Sequence, residues 1–236
     1  MNYSKTIACL AYSRRPHGRC IAGRELTDGG FWSWVRPVST RPSGAVSLEE
    51  CRYQSGREPQ VYDVIEIPLN AAAPQGYEVE NHIIDAGLYW TKRSELNWAE
   101  VGKLVETPVS LWLNGDATRH GINDRMDQAL TRQCVSSVVL IEPEALHLQI
   151  NTECGFEDIP TRCIRADFWY RGTHYNFMVV DPAAEDVFLR ADCDEYRLEN
   201  VYLCVSLSAA FASGAWCQKL VDAVIRPAEK AELTCS

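Results

Sequence analysis

The chain has 236 residues, with 23 Lys+Arg against 32 Asp+Glu and a formal net charge of -9. That acidic total excludes a broadly basic nucleic-acid coat. No stretch approaches the roughly 20 apolar residues of a membrane helix, and the length suits one large domain or two small ones at roughly 150 residues each.

The total hides an asymmetry. Residues 1–41 hold seven cations (Lys5, Arg14, Arg15, Arg19, Arg24, Arg36, Arg41) and two anions (Glu25, Asp28), whereas the rest of the chain is strongly acidic. The first predicted strand is the apolar run Thr6–Tyr12, stopped by Ser13-Arg-Arg-Pro-His-Gly18, where Pro and Gly make a loop. Arg19–Gly23 restarts the chain, Asp28-Gly-Gly30 reads as a hairpin turn, and Phe31–Arg36 alternates as a half-buried strand does. Val61–Ile67 is a strand ended by Pro68, and residues 70–76 read as a connecting loop.

From Thr91 to Leu130 lies the only stretch with room for helices. Trp98, Val101 and Val105 stand at helical spacing behind Ser94, a candidate N-cap. Strands then return. Ser137–Glu142 and Leu146–Ile150 flank Pro143-Glu-Ala, read as a tight hairpin connection. Arg162–Tyr170 turns at Arg171-Gly172 and comes back as Thr173–Val180, a hairpin with aromatics on both arms. Val201–Leu207 is a buried strand, Trp216–Arg226 a strand or short helix, and the tail from Pro227 is loose. Short strands every 8–12 residues in two groups predict small barrels rather than a parallel α/β sheet.

Ten cysteines occur without any C-x-x-C pair, which argues against a zinc ribbon or a thioredoxin-type site. Cys9, Cys204 and Cys217 sit in apolar runs, and the N-terminus has no apolar core long enough for an export signal. The expectation is ten reduced thiols in a cytoplasmic protein. There is no G-x-S-x-G elbow, P-loop, G-x-G-x-x-G or H-E-x-x-H, so no catalytic residue, metal or cofactor is assigned. Cys20 beside Arg19 has no committed histidine partner. The acidic run Asp181, Glu185, Asp186, Asp192, Asp194 and Glu195 is irregular in spacing and reads as a solvated face rather than a Mg²⁺ site.

Several segments together resemble a known family. They are Cys9–Gly23, Trp34-Val-Arg-Pro-Val-Ser39, Asp63–Pro68, Glu80-Asn81, Leu111-Trp-Leu-Asn-Gly115, Gly121-Ile-Asn-Asp124 and Leu203–Leu207. The chain is similar in these to the bacterial proteins described as containing a dual OB domain. The resemblance covers nearly the whole chain and implies two tandem OB-like barrels and nucleic-acid binding, in prokaryotic conflict or defence systems; it carries over no catalytic set.

The expected architecture is therefore mainly β. It has an N-terminal OB-like barrel with basic loops over 1–90, a partly helical linker over 91–135, and a C-terminal OB-like barrel over 136–236. The candidate nucleic-acid contacts begin with Arg14, Arg15, Arg19, Arg24, Arg36 and Arg41, six guanidiniums within residues 14–41, denser than a neutral surface requires. Cations neutralise phosphates and flat rings stack on bases, so Trp32 and Trp34, which share one side of their strand, join the set beside a core reading of both. His17 is a loop residue with a phosphate within reach. Asn114, Arg119 and Asn123 lie in a polar loop able to read a base edge, although Asn-Gly and Asn-Asp are first of all turn formers. Six phosphate contacts imply a log–log salt slope of roughly -4 to -5 on a single strand. The partner is nucleic acid or a nucleotide, with a non-enzymatic role. The alternatives are an adaptor that recruits a protein through strand edges and the acidic second half, and a nuclease or Cys-dependent enzyme.

Overall fold

The computed structural model describes residues 2–154, 160–209, 215–227 and 234–235, with side chains left aside at Phe31, Trp32, Cys154, Thr234 and Cys235. It is mostly β and falls into two compact units. One comprises Met1–Leu104 with Val135–Val138, the other Val105–Cys134 with Val139–Ser236.

In the first unit β1 (Tyr3–Arg15), β2 (Gly18–Thr27) and β3 (Gly30–Val38) form an antiparallel meander. The one-turn helix α1 (Leu48–Cys51) leads to β4 (Asp63–Ala72), β5 (Asn81–Ile84) and β6 (Thr91–Glu95), and the short helix α2 (Trp98–Gly102) follows. The strand order is β1-β2-β3-β5-β4, and β4 pairs back onto β1 to close a five-stranded barrel. Among the named strands of this unit β3 and β5 run parallel and the other pairs antiparallel. Closure depends on the length of β1, because Ile7–Arg15 pairs with β2 while Tyr3–Ala8 pairs with β4. Ile7, Cys9, Ile21, Val35, Ile65, Ile67 and Trp90 fill the interior.

Where β1 serves both neighbours the backbones come very close. A Cβ on Gly23 would lie 2.1 Å from the carbonyl oxygen of Ala8, a distance no side chain tolerates. Gly23→Ala is expected to cost about 1–3 kcal/mol, the range for forced overpacking, read as a lower urea midpoint at unchanged m-value. A midpoint equal to wild type would show that the barrel relaxes there freely.

Three local expectations are corrected. β4 continues through Pro68 to Ala72, because Pro68 still offers its carbonyl, which accepts from Asp85 N at 3.0 Å. Ser94 lies in β6, and the helix cap is Asn97, whose side chain and that of Glu100 form a capping box. The strands on either side of Pro143 do not pair as a hairpin, as the second unit shows.

That unit contains β7 (Arg125–Asp127), a 3-10 turn over Gln128–Gln133, β8 (Val138–Ile141), β9 (Ala145–Cys154), β10 (Pro160–Tyr170) and β11 (Thr173–Val179). Helix α3 (Pro182–Phe188), β12 (Glu195–Leu198), β13 (Tyr202–Leu207), β14 (Trp216–Ile225) and β15 (Thr234–Cys235) complete it. Its sheet runs β15-β12-β9-β10-β11-β14-β13-β8, with β11 and β14 parallel. The path β9-β10-β11-β14-β13 repeats the order of the first barrel, again with a helix after the third strand. Here the long first strand is broken at Glu142-Pro143-Glu144, so that β8 lies on β13 and β9 on β10. Phe168, Tyr175, Phe177 and Phe188 anchor this core.

Cys9, Cys20, Cys51, Cys134, Cys163, Cys204 and Cys217 are free thiols. Cys193 is disulfide-bonded, which corrects the expectation of ten reduced thiols. That expectation rested on the lack of an export signal and on cysteines inside apolar runs, whereas Cys193 stands between Asp192 and Asp194. The expectation for the tail after Pro227 falls largely outside the described residues.

Candidate nucleic-acid interface

At one end of the first barrel the β1–β2 turn gathers much of the cationic set. Arg14 and Arg19 are direct cross-strand partners, and Arg15 pairs with Gly18. Between them Pro16 and His17 are exposed, His17 in the left-handed region at φ 64°. Arg41, in the loop after β3, reaches over to donate to the carbonyl of His17 at 3.2 Å. Arg19 lies 5.2 Å from the Tyr12 ring and 3.9 Å from the Glu58 carboxylate, to which Tyr12 also donates. Cys20 is buried, and Arg15 stands 3.9 Å from its sulfur.

The outer face of β2–β3 is different. Val35 points into the core, so Trp34 and Arg36 point away from it, as the alternation requires. Both are nevertheless buried, at 8% and 3% exposure. Arg36 lies 2.9 Å from Glu78 and 3.3 Å from Glu80, and Ser137 donates to the same Glu80 oxygen. Trp34 stacks beneath Arg24, its cross-strand partner, at 5.6 Å. Arg36 and Trp34 are thus structural, and the expectation that Arg36 meets phosphate from an open face is corrected. The side chain of Trp32 lies outside the described residues. Arg36 is buried for a topological reason, since the parallel β3–β5 pairing sets it opposite Asn81 and so beside the two glutamates that precede β5.

Asn114, Arg119 and Asn123 belong to the second unit, whereas the arginines of the β1–β2 turn belong to the first. Asn123 sits at φ 53° and spends its amide internally, accepting from Gly115 N at 2.8 Å and donating to the carbonyl of His174 at 2.9 Å. Asn114 donates to the Tyr175 hydroxyl and accepts from Lys219 Nζ, both at 3.0 Å. Arg119 is exposed. The loop is wired to two buried charges that the sequence reading passed over. Lys219 is 1% exposed, donates to the Leu113 carbonyl at 2.7 Å, and lies about 6 Å from the rings of Tyr175 and Phe177. Burial pushes its ammonium down to about 7, against the pull of Asp124 upward. Arg165 spans Glu153, at 2.6 and 3.0 Å, and Asp124, at 3.3 Å. The signal for Lys219 was a single lysine within the apolar alternation of Trp216–Ile225.

The face of the second unit that corresponds to the covered β2–β3 face is covered at Arg165 and Asn176 and exposed at its Trp169 end. Trp169 is 46% exposed and stacks flat on His174, ring centres 5.0 Å apart at 7°. The imidazole of His174 contacts Asp167 at 2.9 Å, and Asn176 donates to Asp167 and Gln149. An OB barrel presents its ligand-stacking rings on this strand pair. Aromatics on both hairpin arms were visible in the sequence, but strand alternation alone did not say that Phe168 and Tyr170 fill the core while Trp169 faces outward.

The acidic run disperses. Asp181 caps α3 and accepts from Val224 N, Asp186 pairs with Arg190, and Asp194 with Arg162. Among the described residues no three His, Cys, Asp or Glu side chains stand together as a metal site, and no helix is long and apolar enough to cross a membrane.

Compared with known proteins, the chain matches the model of one family, described as a dual OB-containing domain, over residues 5–224. Neither the curated proteins nor the solved structures yield a match.

Proposed function

We propose that this chain, which belongs to the dual OB-containing domain family, is a module that binds single-stranded nucleic acid and acts by binding rather than by catalysis. The observation that carries the reading is the convergence of Arg14, Arg15, Arg19 and Arg41 on the β1–β2 turn of the first barrel. In OB barrels this turn borders the ligand groove, and four guanidiniums there form a cationic end on an otherwise acidic chain. The second unit carries a stacking surface of its own, the exposed Trp169–His174 pair.

The test is fluorescence anisotropy with a labelled single strand across a salt series. Four phosphate contacts give a log–log slope of about -3. Arg14→Ala with Arg15→Ala lowers affinity and flattens that slope by about 1.4, two contacts' worth. A salt-independent affinity, or a double variant that binds as wild type does, overturns the proposal.

The adaptor reading, by contrast, needs an open strand edge. In the first unit the pairing of β4 with β1 closes the barrel and leaves the five-residue β6 as the edge, whereas the sheet of the second unit ends at β8. Lys92, Arg93 and Glu95 stud β6, and such charges discourage strand addition.

A further inference from the structure

A cleft of about 610 Å³ opens on the first unit, lined by residues 47–50, Arg52 and 86–89 and by Arg41. Its volume falls in the range of small-molecule sites. Three large apolar side chains that a folded chain ordinarily hides stand open around it: Leu48 at 42%, Leu88 at 54% and Tyr89 at 51% exposure. The Arg52 guanidinium lies 5.8 Å from the Tyr89 ring. Its Nε is buried and has no hydrogen-bond partner among the described residues. A buried guanidinium nitrogen without an acceptor is costly unless something completes it. Glu50 is not that partner, because its carboxylate already accepts from Ser39 Oγ at 2.9 Å and from Ser47 N at 2.7 Å.

We propose that this cleft holds a nucleoside monophosphate group, its base stacked on Tyr89 and its phosphate on Arg52 and Arg41. A flat half-exposed ring answers a base, and guanidiniums answer a phosphate oxygen. Glu49 and Glu50 line the same cleft, Glu50 lying 3.9 Å from Arg41, so a small inorganic anion meets like charge and gains no ring to offset it. A free nucleotide and the 5′-phosphorylated end of a strand present the same chemistry. The site does not require the arginines of the β1–β2 turn apart from Arg41, which lies at the border of the two.

Calorimetric titration of the full chain with nucleoside 5′-monophosphates, inorganic phosphate and a tetranucleotide with and without a 5′-phosphate tests this. The monophosphate binds at least on the order of tenfold more tightly than inorganic phosphate, and Tyr89→Ala and Arg52→Ala each weaken it about tenfold. Tyr89→Phe retains binding. Circular dichroism verifies that the variants are folded, which the exposure of Tyr89 favours. Arg14→Ala with Arg15→Ala leaves the monophosphate affinity within about twofold, so failure of the strand-binding proposal and failure of this one read out separately. Binding of the 5′-phosphorylated tetranucleotide alone, lost in Tyr89→Ala, identifies a strand end as the occupant. Absence of binding by every nucleotide probe, or affinities that ignore both Tyr89→Ala and Arg52→Ala, overturns the proposal.

Discussion

Arg165→Ala is expected to destabilise the second unit by about 3–5 kcal/mol, the cost of stranding buried charge. The side chains of Arg165 and Asp124 are each only 5% exposed, and Glu153 is 11% exposed. Removing the guanidinium leaves two carboxylates facing a void, although Asp124 still accepts from the amide and hydroxyl of Thr118. The loss is not the intrinsic worth of the ion pairs, because desolvation consumes much of their attraction; it is the penalty of leaving the partners unpaired. Urea denaturation measures it, and a loss under 1 kcal/mol would mean that water enters the site. The pH dependence has a definite sign. Burial acts to raise the Glu153 carboxyl, but the hydrogen bonds and charge of Arg165 outweigh it and hold it below the usual range. The unfolded chain therefore takes up this proton first as pH falls. The stabilisation is present above the ordinary glutamate value near 4.5 and is lost as pH drops through the lower folded one.

Lys219 has the opposite character. Its ammonium titrates near 10.5 when solvated and, mainly through burial, near 7 when folded. Between those values the unfolded chain holds a proton that the folded chain has released, so stability rises with pH across the window. Below about pH 7 both states are protonated and the full burden of the buried charge is carried. Thiols act in the reverse sense at the upper end, since burial pushes Cys51 and Cys163 up to about 12 and the unfolded thiol ionises first. Comparing wild type with Lys219→Met between pH 7 and 9 isolates the lysine. Stability of wild type relative to the variant is expected to climb with a slope approaching 1.4 kcal/mol per pH unit, about one proton's linkage. A difference independent of pH would place the lysine in contact with water.

Neither charge is conspicuous in the sequence, and the contrast with what was legible has a physical basis. Phe31–Arg36 and Thr173–Val180 declare themselves as strands because alternation is a local property of a half-buried sheet. β6, by contrast, reads Thr-Lys-Arg-Ser-Glu and offers no apolar period, so it is a strand only because β4 lies beside it. The hairpin inferred at Pro143 failed because two runs separated by three residues fit either a turn back or one strand interrupted. Only pairing with β13 and β10 decides. The candidate site divides in the same way. Arg14, Arg15 and Arg19 sit on one hairpin, and their convergence follows from proximity in sequence. The burial of Arg36 depends on Glu78 and Glu80, brought in by a parallel pairing that no local pattern announces.

The segment Val135–Val138 groups with the first unit although residues 105–134 before it group with the second. Ser137 supplies a hydrogen bond to Glu80, which in turn faces buried Arg36. During synthesis the first barrel can therefore pair all its strands once Glu95 has emerged, yet the polar contact on its outer face waits until Ser137 is made. Residues 105–134 of the other unit have by then been made. Domains usually fold as they emerge, the N-terminal one first. Here the first barrel is finished by a stretch that comes, in sequence, between two segments of the second unit, and no single cut in the chain separates two complete halves.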